Sequence, residues 1–472
     1  MLRPSLASLL GLALTTAVIA ADFPTRPPAD VTRVMDRDQM MAQLGVTFPE
    51  LPSRLDDPNK PTNAWPTDED NPDANWTDAK SNTITRGGFG LWVTYDDDHP
   101  GDYTPIDLLR MNDGTPVRTA EDWWNRRRPE IAHDLQEQLY GFMPPADTMP
   151  GVTWSAKTSV GGALRAPWIE QEITGTIDTS SYPEVRDAPR ILARLRMPAN
   201  ATGPVPVIIV YGTRGFDTVY TDFIEPAGWA LASFDINALQ PDNGQYLTSY
   251  LIGLVNQGAW REPDDMGQLM AGAWGIGRLI DYLETVANLD ATKIGLQGHS
   301  RWGKATIVAQ AFEPRITVGY PSCGGALGPS LIRRHWGQNL ENLSWDREYH
   351  WVAGNAFKYM GPLHAGRYLP RKVENLTVDA HSLVALIAPR PVFLNGGTTD
   401  TWSDAPGTFL TGVAATPVYE LLGLKGLVAP ADAPQPDVGY LEGNIGFRMH
   451  EGGHTPIPDW PAYIEFAHKY FD

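Results

Sequence analysis

Beyond Gly161 the chain alternates short apolar runs with longer stretches of helical spacing. Glu172 to Ile177 and Ile191 to Met197 alternate apolar and polar residues as the strands of a hairpin do, whereas Val207 to Tyr211 is continuously apolar and stops at Gly212. Trp229 to Phe234 repeats the continuous pattern. Met266 to Val286 has the spacing of a long helix, and it is followed by a strand at Lys293 to Gln297, a helix from Arg301 to Phe312 and a short strand at Ile316 to Gly319. Strands at Pro391 to Leu394 and Asn444 to Met449 complete the set. Apolar strands separated by helices imply a mostly parallel sheet covered on both faces, because each such strand must bury both of its sides. The expected architecture is an α/β three-layer sandwich over residues 161–472.

Residues 21–160 are irregular by comparison and read as an N-terminal extension packed on that core. Proline-rich pieces alternate with one helical region, Ala120 to Phe142, for which Thr119 is a plausible N-cap and in which Pro129 predicts a kink or a split. The run from Asp68 to Trp76 carries enough oxygens to suggest calcium, but it lacks the Gly and closing Glu of an EF-hand loop and reads as a solvated acidic loop.

Composition narrows the class. Arg3, the apolar run Leu6 to Ile19 and the small residues Val18 and Ala20 make residues 1–20 a signal peptide, so a secreted or periplasmic protein is expected. No later segment reaches the roughly 18 to 20 continuous apolar residues of a spanning helix. An apolar share of 42% with 16 Trp fits an enzyme-sized globule, with a monomer expected. The single cysteine, Cys323, excludes an internal disulfide. A formal charge of -19 opposes association with nucleic acid or anionic membranes. No H-E-x-x-H, C-x-x-C or P-loop pattern occurs, so neither a metal nor an organic cofactor is expected.

Candidate chemistry centres on Ser300, where an apolar strand turns at once into a helix. Such an elbow lifts a serine hydroxyl clear of the sheet and leaves free backbone N–H groups for a developing oxyanion. The generic G-x-S-x-G pattern is not met, since Trp302 occupies the second Gly position and Gly303 follows one place later. On pattern alone Ser300 is either a nucleophile or a helix N-cap.

The segment Gly298-HSRWG-Lys304 resembles the G-(C/H)-S-R-x-G-K motif of the glucuronoyl esterases, carbohydrate esterase family 15. Further blocks follow in that family's order: Ala271-GAWGIGRLIDYL-Glu284, Glu348-YHWVAGNAFK-Tyr359, Asp379-AHSLVALIAPR-Pro391, Thr399-DT-Trp402 and Glu451-GG-His454. The resemblance implies an α/β-hydrolase fold. It also implies a serine esterase acting on esters between the glucuronic acid side chains of xylan and lignin alcohols. A broader serine esterase and a noncatalytic carbohydrate-binding protein are the alternatives.

A serine hydroxyl needs a His to take its proton and a carboxylate to fix that His. His454 follows the last strand and matches the family's catalytic position, while His450 reads as a packing residue at the strand end. Counting from Ser300 brings the fungal members' acidic position to Cys323, in Tyr320-PSCGGA-Leu327, and a thiol cannot replace a carboxylate there. Asp400, just after the strand Pro391 to Leu394, is the first candidate acid, with Asp404 and Asp379 behind it. Cys323 itself reads as a small buried residue beside Gly324 and Gly325. The Arg301 backbone N–H would serve the oxyanion hole, and the resemblance implies that its guanidinium leans over the same oxygen. The loop from Gly212 through Thr213 and Arg214 to Gly215 is the generic place for a second donor. The resemblance further implies sugar contacts for Lys304, Glu348 and Trp402. The register near Glu341 is too loose to carry over the family's Gln.

Overall fold

The computed structural model describes residues 23–46, 85–86, 92–93, 103–163, 166–212, 215–216, 218–340, 343, 346–360, 373–430 and 434–471. The expected signal peptide, the acidic run Asp68 to Trp76, Glu341 and the pair Thr213 and Arg214 lie outside the described residues.

Among the described residues the apolar runs form one ten-stranded sheet. Its strands are β1 (Val152–Ala163), β2 (Ala166–Ile177), β3 (Arg190–Pro198), β4 (Val205–Tyr211) and β5 (Ala230–Asp235). They continue as β6 (Leu289–His299), β7 (Val318–Ser322), β8 (Val392–Gly397), β9 (Gly439–Tyr440) and β10 (Ile445–His450). The spatial order is β9-β10-β8-β7-β6-β4-β5-β3-β2-β1. The run from β5 through β4, β6, β7 and β8 to β10 is parallel, and the pairs at both ends are antiparallel.

Both faces of the parallel strands are apolar for the reason their continuous patterns imply. Val207 and Ile209 enter the larger core with Ile294 and Leu296, whereas Ile208 and Val210 face the opposite side with Val318, Tyr320 and Phe393. Helix α3 (Gln268–Leu283) covers the first face, and α7 (Trp460–Phe471) covers the second with Trp460, Tyr463 and Phe466. Burying one such aliphatic side chain contributes about 1.5–3 kcal/mol. The sheet therefore holds as a rigid platform.

Residues 120–140, here α2, follow one helical path. Pro129 does not split it: a π turn at Trp123–Arg127 widens the helix just ahead, and Arg128 N–H reaches back to Trp123 O. Thr119 caps the start by accepting from the Asp122 N–H at 3.1 Å. Trp123, Ile131, Leu135 and Leu139 belong to the same core as the sheet. Strand β1 runs across position 160, so residues on both sides of the expected domain boundary share one strand. Helix α1 (Arg33–Leu44) docks through Asp36, which accepts from the Tyr349 hydroxyl at 2.8 Å. No described helix is long and apolar enough to cross a membrane.

Parallel register brings the carboxyl ends together. His299 of β6 pairs with Ser322 of β7, and Gly397 of β8 pairs with His450 of β10. The chain leaving each of these strands therefore emerges on one edge of the sheet.

Candidate active site

Ser300 stands between β6 and α4 (Arg301–Phe312) with φ 61° and ψ −125°. That conformation is unfavourable for any residue with a Cβ, and it is held from both sides: Ser300 N–H donates to Ser322 O at 2.9 Å, and Gly303 N–H donates to Ser300 O at 2.8 Å. Two glycines let the backbones approach. A Cβ at Gly298 would lie 2.3 Å from Trp302 O, and one at Gly303 would lie 2.6 Å from Ser322 O. The departure from G-x-S-x-G has its own explanation. The Trp302 indole lies over Gly212, where a Cβ would meet it at 2.4 Å, and packs on Tyr211 with ring centroids 5.6 Å apart.

His454 reaches the elbow from the loop after β10. Its Nδ1 is 2.7 Å from Asp400 Oδ2, and its ring lies against His299 with centroids 4.5 Å apart. The Ser403 hydroxyl is 3.2 Å from the same Nδ1. Burial pushes the Asp400 carboxyl up, but the His454 contact and the bonds from Ser403 outweigh it and hold the group below the usual carboxylate value. Burial pushes His299 down to about 4, so that ring is neutral beside His454. No hydrogen bond joins Ser300 Oγ to His454 among the described residues in this state, and contacts of this kind tighten when substrate is seated.

The other candidate acids are engaged elsewhere. Asp404 caps α6 (Ala405–Leu421) through the Gly407 N–H and pairs with Arg334 at 2.8 Å. Asp379 forms the capping box of α5 (Ala380–Ile387) and accepts from Ile332 N–H at 2.7 Å. His450 is fully buried, with Nδ1 2.7 Å from Asp459 Oδ2 and Nε2 2.8 Å from Gly453 O. Cys323 is buried with its thiol pushed up by desolvation, yet its Sγ lies within 4.8 Å of ligand atoms of Asp400 and His454.

Arg301 turns its guanidinium to Asp242 Oδ2 at 2.6 Å and over the Trp351 ring at 5.6 Å. As the first N–H of α4, its amide lacks an intrahelical acceptor. Lys304, for which a sugar contact is expected, is held by protein acceptors in this structure. It is 2% exposed, and its ammonium donates to Gly324 O and Ala326 O at 2.6 Å and to Gln338 Oε1 at 2.5 Å, which occupies all three N–H groups. Burial pushes Lys304 down and Glu348 up, each partly opposed by the charge of the other. Gln338 joins the two, because its Nε2 donates to Glu348 Oε2 at 3.1 Å. Its backbone N–H donates to Trp402 O at 2.9 Å. The three expected pocket residues therefore meet through a glutamine that sequence reasoning missed. Asp242 was missed as well, since Pro241-Asp242-Asn243 reads as an ordinary turn.

Residues 186–423 match the family model described as glucuronyl esterase, fungi. A solved CE15 glucuronoyl esterase from Teredinibacter turnerae T7901 is 31% identical with a TM-score of 0.77, over 93% of this chain and 100% of that one. The chain belongs to carbohydrate esterase family 15, the glucuronoyl esterases. Carbohydrate esterase MZ0003, from an unknown prokaryotic organism, is 29% identical over 79% of this chain and 91% of its own length. The 4-O-methyl-glucuronoyl methylesterase 1 of Wolfiporia cocos is 27% identical over 67% of this chain and 72% of its own. Membership in this family accords with the α/β-hydrolase sheet and with the elbow described above.

Proposed function

We propose that this chain is a serine-type carboxylic ester hydrolase that cleaves glucuronoyl or 4-O-methyl-glucuronoyl esters between xylan side chains and lignin alcohols. The observation that carries the reading is the 2.7 Å contact between His454 Nδ1 and Asp400, with the ring lodged beside the Ser300 elbow. In this reading Asp400 fixes the ring so that Nε2 takes the Ser300 proton. Ser300 Oγ then attacks the C6 carbonyl of the uronate ester, and the Arg301 N–H with a second donor stabilises the oxyanion. His454 returns the proton to the departing alcohol. Water attacks the acyl-enzyme by the same route, releasing the uronic acid and restoring Ser300. Trp402 and Glu348 form the uronate pocket, and Lys304 supports it from beneath through Gln338.

Hydrolysis of methyl glucuronate and of a simple acetate ester by the wild type, Ser300→Ala and Lys304→Ala tests the reading. A preference for the glucuronate, lost in Lys304→Ala and accompanied by no turnover in Ser300→Ala, is the expected result. Equal rates on both esters would favour a broad esterase, and full activity in Ser300→Ala would end the proposal. Export after removal of residues 1–20 is part of the same proposal. It rests on the apolar run Leu6 to Ile19, and N-terminal sequencing of protein recovered outside the cytoplasm checks it.

A further inference from the structure

Asp242 lies in the turn after the short helix Ile236–Leu239, far along the chain from the elbow and from every residue its carboxylate binds. Its Oδ2 accepts from Arg301 at 2.6 Å, and its Oδ1 accepts from Trp351 Nε1 at 2.7 Å and faces His350 Nε2 at 2.8 Å. The carboxylate thus spans two segments. One begins at the nucleophile, and the other carries Glu348. We propose that Asp242 is the positioning residue that holds the Arg301 guanidinium beside the elbow and locks it to the segment 348–351. The proposal rests on the proposed esterase reading and adds to its Arg301 backbone N–H a role for the Arg301 guanidinium at the same oxyanion.

Four further observations support it. The Arg301 side chain is 45% exposed, so without an anchor a long, solvated side chain would spread over many rotamers. The Trp351 ring that Asp242 orients lies under both site cations, 5.6 Å from the Arg301 guanidinium carbon and 5.8 Å from Lys304 Nζ. Burial pushes Asp242 up, but the bonds and charges of His350 and Arg301 prevail and keep it well below the usual carboxylate range. It is therefore a fixed negative charge. The turn itself is propped from below. The Tyr349 hydroxyl sits where a Cβ on Gly244 would come within 2.1 Å, and the same hydroxyl donates to Asp36 of α1.

A double-mutant cycle on methyl glucuronate hydrolysis tests the proposal, using Asp242→Asn, Arg301→Ala and the pair. Asp242→Asn is expected to lower kcat by roughly ten- to a hundredfold with KM little changed, as a small misplacement of a transition-state group would. In the Arg301→Ala background it should cost nothing further, and Asp242→Glu should recover part of the rate. Equal losses in both backgrounds, or an unchanged kcat, would overturn the positioning role. An Arg301→Ala enzyme with undiminished kcat would instead show that the guanidinium takes no part in the reaction and would remove this proposal, while leaving the backbone N–H reading untouched. If Asp242→Asn fails to fold, Asp242→Glu enters the cycle in its place, with the same criterion of no additional loss once Arg301 is gone.

Discussion

Cys323 and Asp400 both lie close to the His454 imidazole and differ in what they can do for it. The buried thiol is pushed up by desolvation and stays neutral, so it cannot stabilise the imidazolium that forms when Ser300 gives up its proton. Asp400 stays ionised at 2.7 Å from Nδ1. Asp400→Asn should therefore lower kcat by about 10⁴-fold while leaving the fold intact, as loss of the orienting acid does elsewhere. Because Cys323 Sγ lies within 4.8 Å of the same ring, Cys323→Glu in that background should restore part of the rate, measured as kcat on methyl glucuronate. No recovery would mean that the Cys323 corner cannot deliver a carboxylate to His454. Sequence offered three aspartates for one role and ranked Asp400 first, and local chemistry explains why the other two stayed candidates. Asp379 and Asp404 cap helices, Asp400 stands in a turn, and short-range signals look alike in all three settings. Gln338 could not be placed from the sequence, because the register near Glu341 is loose and its partners Lys304, Glu348 and Trp402 come from separate segments.

At the scale of elements, the elbow works because a strand end, a strained serine and a helix start are forced into one turn. One of its tight allowances is Gly303, where an added Cβ meets backbone on β7 rather than a flexible side chain. Gly303→Ala should cost about 1–3 kcal/mol of stability through overpacking and should lower kcat as well, because relief requires β7 and α4 to separate at Ser300. Thermal unfolding and turnover measured on one preparation check this. A variant of normal stability and rate would show that the approach of the two elements is not critical. The buried parallel strands were readable because continuous apolar runs have one structural use. Strand β1 was not, since Lys157, Thr158, Ser159 and Val160 are exposed and leave no alternation to detect. Strand β7 was placed early for a different reason. Pro321 reads as a stop, yet it lies inside the strand, opposite Gly298.

The whole molecule depends on an N-terminal segment whose docking sequence could not reveal, because its partners lie hundreds of positions away. Asp36 of α1 is the test of that docking. Burial pushes its carboxyl up to about 6, against the opposing effects of Arg261 and the Tyr349 hydroxyl. Since the folded value lies above the ordinary 3.8, protonation favours the folded state. This contribution is fully present below 3.8 and is lost as pH rises through 6. Other groups titrate over the same range, with buried His299, His350 and His381 acting in the opposite sense, so the wild-type curve alone does not isolate Asp36. The difference from Asp36→Asn does, because the amide resembles the protonated acid and does not titrate. Urea unfolding of the two proteins should show the wild type losing roughly 2 kcal/mol relative to the variant between pH 4 and pH 7, the size expected for a shift of about two pH units. A constant difference across that range would mean that Asp36 is not desolvated, and that α1 does not seat against Tyr349 beneath the segment carrying Glu348.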